Sequence, residues 1–125
     1  MSHLNRVQLI GNLGQDPDSR FTPSGKRVTR FSVATHRKWT SQDGEVNSAT
    51  DWFNVECWNG LAEAVDTYLS KGRKVYVEGR LQIDRYEKEG QSCQYVKIVA
   101  SNVIFLDGPA TAEEDREIET ESLPF

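Results

Sequence analysis

The sequence predicts a mainly β domain: a five-stranded barrel with one helix between its third and fourth strands, followed by a disordered acidic tail. Three observations carry that prediction. Five stretches, residues 4–13, 27–39, 51–58, 73–86 and 94–105, alternate side-chain character with the period of two that a strand requires. One segment, residues 59–72, instead repeats its apolar residues at helical spacing. Gly11 and Gly79 fall inside strands, where a barrel bends or brings two backbones close.

In the first strand Val7, Leu9, Gly11 and Leu13 share one face, and Arg6, Gln8, Ile10 and Asn12 the other. G-Q-D-P at residues 14–17 is turn chemistry, and R-F-T-P-S-G at 20–25 reads as a short extended piece and a second turn. The next strand turns Phe31, Val33 and Thr35 inward, and the same row runs on through Arg37 to Trp39. A row that leaves the core for Arg and Trp implies a ribbon projecting past the body, with Lys38 at its tip. Residues 40–50 are polar around Asp43-Gly44, a hairpin dipeptide, and predict an exposed, mobile loop.

Residues 51–58, D-W-F-N-V-E-C-W, return as the third strand. Phe53, Val55 and Cys57 suit a core; Trp52, Asn54, Glu56 and Trp58 share the opposite face. That face is polar except for two indoles. Either sheet curvature buries one indole and the other caps the core edge, or the pair is a platform on which nucleic acid bases stack. Asn59 suits a helix N-cap, and Leu61, Ala62, Val65, Tyr68 and Leu69 line one helical face that places Tyr68 in the core. Gly72 suits the helix C-terminus. The fourth strand has Val75, Val77, Leu81 and Ile83 on one face, and Tyr86 near its outer end between Arg85 and Lys88. Residues 87–92 form a second exposed loop. The last strand turns Val96, Ile98 and Ala100 inward, and its apolar parity then shifts to Val103 and Phe105, which implies a bulge. This β-β-β-α-β-β order matches an oligonucleotide-binding (OB) barrel. A sandwich needs more strands, and a Rossmann unit needs alternating helices and a glycine fingerprint.

The 125 residues suit one domain, residues 1–106, plus a tail, residues 107–125. No apolar run reaches the length of a membrane span, and the N-terminus lacks a signal-peptide pattern, so a cytoplasmic location is expected. Cys57 and Cys93 have no metal-ligand spacing, and no cofactor or metal is expected; Cys57 reads as a buried, reduced thiol. The net charge of -4 divides unevenly. The tail holds seven acids against one base, Arg116; the body holds 14 Lys and Arg against 12 Asp and Glu. So acidic and apolar-poor a tail cannot offset its ordering entropy by burial. It ends in Ser122-Leu123-Pro124-Phe125. That ending is either chance or a short motif that docks into a basic, apolar pocket on another protein.

No catalytic set, phosphate loop or diagnostic carboxylate pair stands out, and no enzyme is expected. The binding constellation is fuller. Trp39, Trp52, Trp58 and Tyr86 lie at polar-faced or loop-proximal strand positions. Cations interleave with them, Arg37 and Lys38, Arg85 and Lys88, with Arg6, Arg20, Lys71 and Arg73 elsewhere, and all of these but Arg20 are candidate phosphate contacts. Stacking tolerates any base, and cations neutralise phosphate without reading sequence, so together they imply single-strand binding with weak sequence preference. For each individual Lys or Arg, a solvated surface charge is an equal alternative.

Those residues also carry a resemblance. L-I-G-N-L-G-Q-D-P, R-F-T-P-S-G, F-S-V-A-T, D-W-F-N-V, L-A-E, Y-L-S-K-G and V-Y-V-E-G-R-L, in that order, resemble the bacterial single-stranded DNA-binding protein family from about residue 4 to 105, and S-L-P-F resembles that family's tail tip. The resemblance implies an OB fold assembled as a homotetramer. It implies binding and protection of single-stranded DNA in replication, recombination and repair, and a place at the bacterial nucleoid. It assigns base stacking to Trp39, Trp52, Trp58 and Tyr86, dimer contacts to the strand with Asn5 and Arg6, and recruitment of genome-maintenance proteins to the acidic tail. In that tail, Glu119, Glu121, Leu123, Pro124 and Phe125 are the matching residues. This sequence departs from the family's pattern in three ways. The linker before the tail is nearly absent, Leu123 stands where isoleucine is usual, and the binding face carries neutral or acidic Asn54, Glu56, Gln82 and Asp84. The last departure implies a shallower salt dependence. An accessory OB protein of the primosome type, an RNA-binding OB module and a nucleic-acid enzyme subunit are the competing functions.

Overall fold

The computed structural model describes residues 2–106. Six strands and one helix follow in the order β1 (Val7–Leu13), β2 (Asp18–Phe21), β3 (Arg27–Thr40), β4 (Val46–Trp58), α1 (Asn59–Tyr68), β5 (Lys74–Lys88) and β6 (Gln91–Phe105). Hydrogen bonding runs β1-β5-β6-β4-β3-β2, and β1 also pairs with β3 through Asn12↔Ala34 and Leu13↔Val33. That last pairing closes a five-stranded barrel of β1, β5, β6, β4 and β3, which is the predicted architecture. The piece expected only to be extended is a four-residue strand, β2, paired to β3 outside the ring.

Closure depends on two bare backbones. A Cβ on Gly11 would overlap the carbonyl of Ala34, where β1 crosses to β3, and one on Gly79 would overlap the carbonyl of Val99. Gly79 also marks a register break: Glu78 pairs with Asn102, but Gly79 pairs with Ala100, leaving Ser101 as the extra residue. The bulge expected from the parity shift is there. It bends β5 and β6 around the barrel.

The interior is filled by the barrel part of the predicted inward rows: Leu13, Phe31, Val33, Val55, Cys57, Val75, Val77 and Ile98 are buried. Leu81, Ile83 and Val96, expected in the same rows, are exposed because they lie on the ribbon past the barrel. α1 closes one end by inserting Ala62 and Val65, and the Oγ1 of buried Thr29 donates to the carbonyl of Ala62 at 2.9 Å. A ten-residue helix is marginal alone in water, so this docking is what holds it. The Arg27–Asp66 ion pair at 2.6 Å ties its outer side to β3.

Three expectations about this helix are corrected. Asn59 lies at φ 57 as the first helical residue, and the N-cap is Trp58, without a side-chain cap bond. Asn tolerates this left-handed conformation, and here it makes the sharp strand-to-helix turn. The helix ends at Tyr68, so Gly72, at φ 90, serves the following turn and donates its N–H to Leu13. Tyr68 is 66% exposed and lies against Phe105 at the surface, because the buried stripe runs through Ala62, Val65 and Leu69 and leaves Tyr68 beside it.

Both predicted loops are shorter than expected. β3 and β4 pair continuously to Thr40↔Val46, leaving only residues 41–45 as the turn. β5 and β6 pair to Lys88↔Gln91 around Glu89-Gly90, both at positive φ. That is the two-residue hairpin turn whose twist matches paired strands. Two ribbons therefore extend past the barrel. They lie side by side, because β4 and β6 run parallel and pair only at Val55↔Ile98 and Glu56↔Val99 before diverging.

Candidate nucleic-acid interface

The outer face of β4 and the cleft where the ribbons diverge form an open groove. One part, about 290 Å³, is lined by residues that include Asp16, Arg30, Ser32, Asn54, Glu56, Tyr95 and Lys97. A second part, about 390 Å³, is lined by Trp52, Phe53, Asn54, Leu81, Val96, Lys97 and Ile98. Asn54 and Lys97 border both parts.

Trp52 is 59% exposed. Its six-membered ring rests where a side chain at Gly14 would be: a Cβ there would overlap indole Cζ3 and would stand 3.1 Å from Ser32 Oγ. The cross-strand neighbour is Ala34, another small residue. Three small residues thus seat a large ring on the sheet surface. Trp58, on the same face of β4, is half-buried, and its indole N–H donates to Glu56 Oε2 at 2.9 Å. Of the two alternatives for this pair, the structure leaves Trp52 open to solvent and fixes Trp58 by an edge bond, and neither lies in the core.

Glu56 is 3% exposed, and burial alone would raise its pKa. The Trp58 N–H, Lys97 Nζ at 3.2 Å and Arg30 Nε at 3.2 Å outweigh that effect, and the carboxyl stays below its ordinary value. Lys97 also reaches Asp84 Oδ2 at 3.2 Å. The Gln82 amide and then Lys97 hold the Asp84 carboxyl below its usual range. The acidic residues of this face are therefore matched internally by Arg30 and Lys97.

The other expected stacking residues are placed apart. Trp39 is exposed on β3 near the ribbon tip, with the Arg37 guanidinium 5.0 Å from its ring centre. Strand alternation puts it on the opposite face of the ribbon from Trp52. Tyr86 is exposed on the second ribbon, paired with Cys93. Arg37 is held by Asp51 at 2.9 Å, whereas Lys38, Arg85 and Lys88 have no carboxylate partner among the described residues. Lys71 and Arg73 lie between α1 and β5, where the Lys71 backbone N–H donates to Asp16 at the groove edge. Arg6 is elsewhere: it pairs with Glu78 at 2.7 Å on the β1–β5 wall, across the barrel from β4. The tail residues Glu119, Glu121, Leu123, Pro124 and Phe125 lie outside the described residues. Among the described residues there is no cluster able to hold a metal and no helix long and apolar enough to cross a membrane. Cys57 is buried, as expected, and burial pushes its thiol pKa up to about 12.

Sequence reasoning missed Gly14, Arg30, Tyr95 and Lys97. Alternation did carry part of the signal: with Phe31 and Val33 inward, Arg30 and Ser32 take the other face, and with Ile98 inward, Tyr95 and Lys97 do. The cross-strand register that gathers them was not visible.

Residues 4–106 match the model of the single-strand binding protein family. Among curated relatives, a single-stranded DNA-binding protein of Neisseria meningitidis is 42% identical over 106 residues, covering 84% of this chain and 61% of the relative. The Aquifex aeolicus protein of the same name is 40% identical over 122 residues, covering 98% of this chain and 83% of the relative. This chain thus spans about three fifths of the Neisseria protein's length. Among solved structures, a Plasmodium falciparum SSB in complex with ssDNA superposes with a TM-score of 0.81 at 35% identity, over 86% of this chain and 98% of that one. A deletion mutant of the Thermus aquaticus single-stranded DNA binding protein superposes with a TM-score of 0.75 at 32% identity, over 85% and 52%. On the barrel, the groove and this likeness, the chain belongs to the single-strand binding protein family.

Proposed function

We propose that this chain is a non-catalytic protein that binds and protects single-stranded DNA with little sequence preference. The observation that carries this reading is Trp52, an exposed indole seated on Gly14 beside an open groove of an OB barrel. Trp58 and Tyr86 extend the stacking surface, and Trp39 offers a further ring on the opposite face of the ribbon. Arg37, Lys38, Lys71, Arg73, Arg85 and Lys88 contact phosphates along it, and Arg6 does so from the far wall or serves subunit contacts. The work is done inside a bacterial cell at the nucleoid, in replication, recombination and repair. Self-association to a homotetramer is supported by a cross-strand row, Ile10, Tyr76 and Ile104, that leaves both isoleucines exposed on the outer sheet. The tail, residues 107–125, recruits genome-maintenance proteins through Glu119, Glu121, Leu123, Pro124 and Phe125.

The test is competition. A labelled oligo(dT) bound to the full chain should be displaced by unlabelled single strands and not by duplex of equal length. Equal displacement by duplex, or no binding, overturns the reading; stronger displacement by RNA favours the RNA-binding alternative. Deleting residues 123–125 should leave this binding intact and abolish capture of genome-maintenance proteins. Loss of both together contradicts the division between barrel and tail.

A further inference from the structure

We infer that Arg30 and Tyr95 form a nucleotide subsite in the first part of the groove, with the base on the Tyr95 ring, the phosphate on the outward edge of Arg30, and Glu56 as the positioning residue behind them. The inference rests on the single-strand reading and adds a site to it. Tyr95 is 41% exposed, and its ring lines the same open space as Arg30, Ser32 and Asn54. None of these was among the stacking or phosphate-contact residues expected from the sequence.

Arg30 is suited to the task by how it is held. Its side chain is 62% exposed, yet its Nε is bound to a nearly buried Glu56 oxygen at 3.2 Å. Guanidinium is planar with five donors. Using the Nε edge inward leaves the two Nη groups to face solvent, already oriented. Glu56 is itself held by Lys97 and Trp58, so the fork rests on a rigid base rather than a mobile side chain. Such pre-organisation reduces the entropy lost on binding. Arg30 also stands beside Asp18 in the β2–β3 register, but that carboxylate is engaged with Arg20 at 3.2 Å. Lys97 is enclosed by Glu56 and Asp84 and is largely buried. Of the two cations lining this space, Arg30 is thus the one placed to meet a phosphate. Ser32 and Asn54 supply small polar groups for base edges without fixing one base.

The subsite separates into two measurable parts. Tyr95→Ala should weaken oligonucleotide binding about five- to 150-fold, as loss of one base stack does, with the salt dependence unchanged. Tyr95→Phe should bind like the parent. Arg30→Gln should weaken binding and lower the slope of log K against log salt by about 0.7, the value for one phosphate on a single strand. Circular dichroism and thermal melting of each variant establish that the barrel is intact. If Tyr95→Ala and Arg30→Gln both bind like the parent at every salt concentration, the subsite does not exist. If Arg30→Gln weakens binding with an unchanged slope, Arg30 does not contact phosphate and the assignment fails. Failure of the parent itself to bind single strands would instead overturn the proposed function.

Discussion

Replacing Gly14 with alanine adds one methyl group and should act almost wholly on binding. The new Cβ would overlap the Trp52 ring and crowd Ser32 Oγ, so the indole must rotate off its seat. Fold stability should change little. Gly14 has no positive φ, so alanine adopts its backbone without strain and restricts the unfolded chain, an effect of about 0.4–1 kcal/mol in favour of folding. Against this stands the lost contact of a ring that is already mostly exposed. These two effects are of similar size, and the net should lie within about 1 kcal/mol. Binding should lose most of one base stack, about 1–3 kcal/mol, or about five- to 150-fold in Kd. The assay is oligonucleotide titration followed by tryptophan fluorescence, with a thermal melt of the same sample and Trp52→Ala as the reference. Gly14→Ala should approach Trp52→Ala in affinity while melting near the parent. Parent-like affinity with a displaced Trp52 signal would show that the seat is irrelevant to stacking. A large drop in melting temperature would show that Gly14 holds the barrel and not the ring.

Three further outcomes follow from the geometry. Glu56 has a folded-state pKa below its unfolded value, so its contribution is present above the unfolded pKa, near the ordinary 4.5, and is lost as pH falls through the lower folded value. Glu56→Gln should therefore flatten the acid limb of the stability curve measured by denaturant titration, and an unchanged limb would refute this. Gly11→Ala should destabilise by about 1–3 kcal/mol, since the methyl group meets a backbone carbonyl that can yield only by opening the β1–β3 seam; a chemical denaturation midpoint equal to the parent's would contradict it. Native Cys57 should resist a thiol reagent at mildly alkaline pH because its thiol is buried with a pKa of about 12, while Cys93, partly exposed, reacts first. Mass spectrometry of the modified peptides reads the order directly.

The barrel was legible in the sequence because each of its strands must keep one face in a core. Phe31 and Val33, Val55 and Cys57, Val75 and Val77 had to alternate, and Gly11 and Gly79 had to be bare where backbones cross. The pattern gave out where no core imposes it. Residues 46–50 pair in the ribbon but pack against nothing, so they read as loop. β2 is too short to show a period, and Asn59 looked like a cap because its tolerance of positive φ leaves the same signature as capping. Trp52 and Trp58 were conspicuous as indoles on a polar face. What surrounds them was not, because Gly14 reaches Trp52 from another loop, and Arg30 and Lys97 meet Glu56 only through pairing across β3, β4 and β6. The expectation of an acidic binding face came from reading β4 and β5 without the neighbours that match their charges.

We propose that bases stacking on exposed aromatics supply most of the affinity, with cations in a secondary role because those lining the groove, Arg30 and Lys97, and Arg37 on the ribbon already hold carboxylates. Tryptophan quenching by oligo(dT), titrated at several salt concentrations for the parent and for Trp52→Ala, tests it most directly. Strong saturable quenching in the parent is expected, with a Trp52→Ala deficit that stays constant as salt rises. Weak quenching, or Trp52→Ala binding like the parent at every salt concentration, would contradict this.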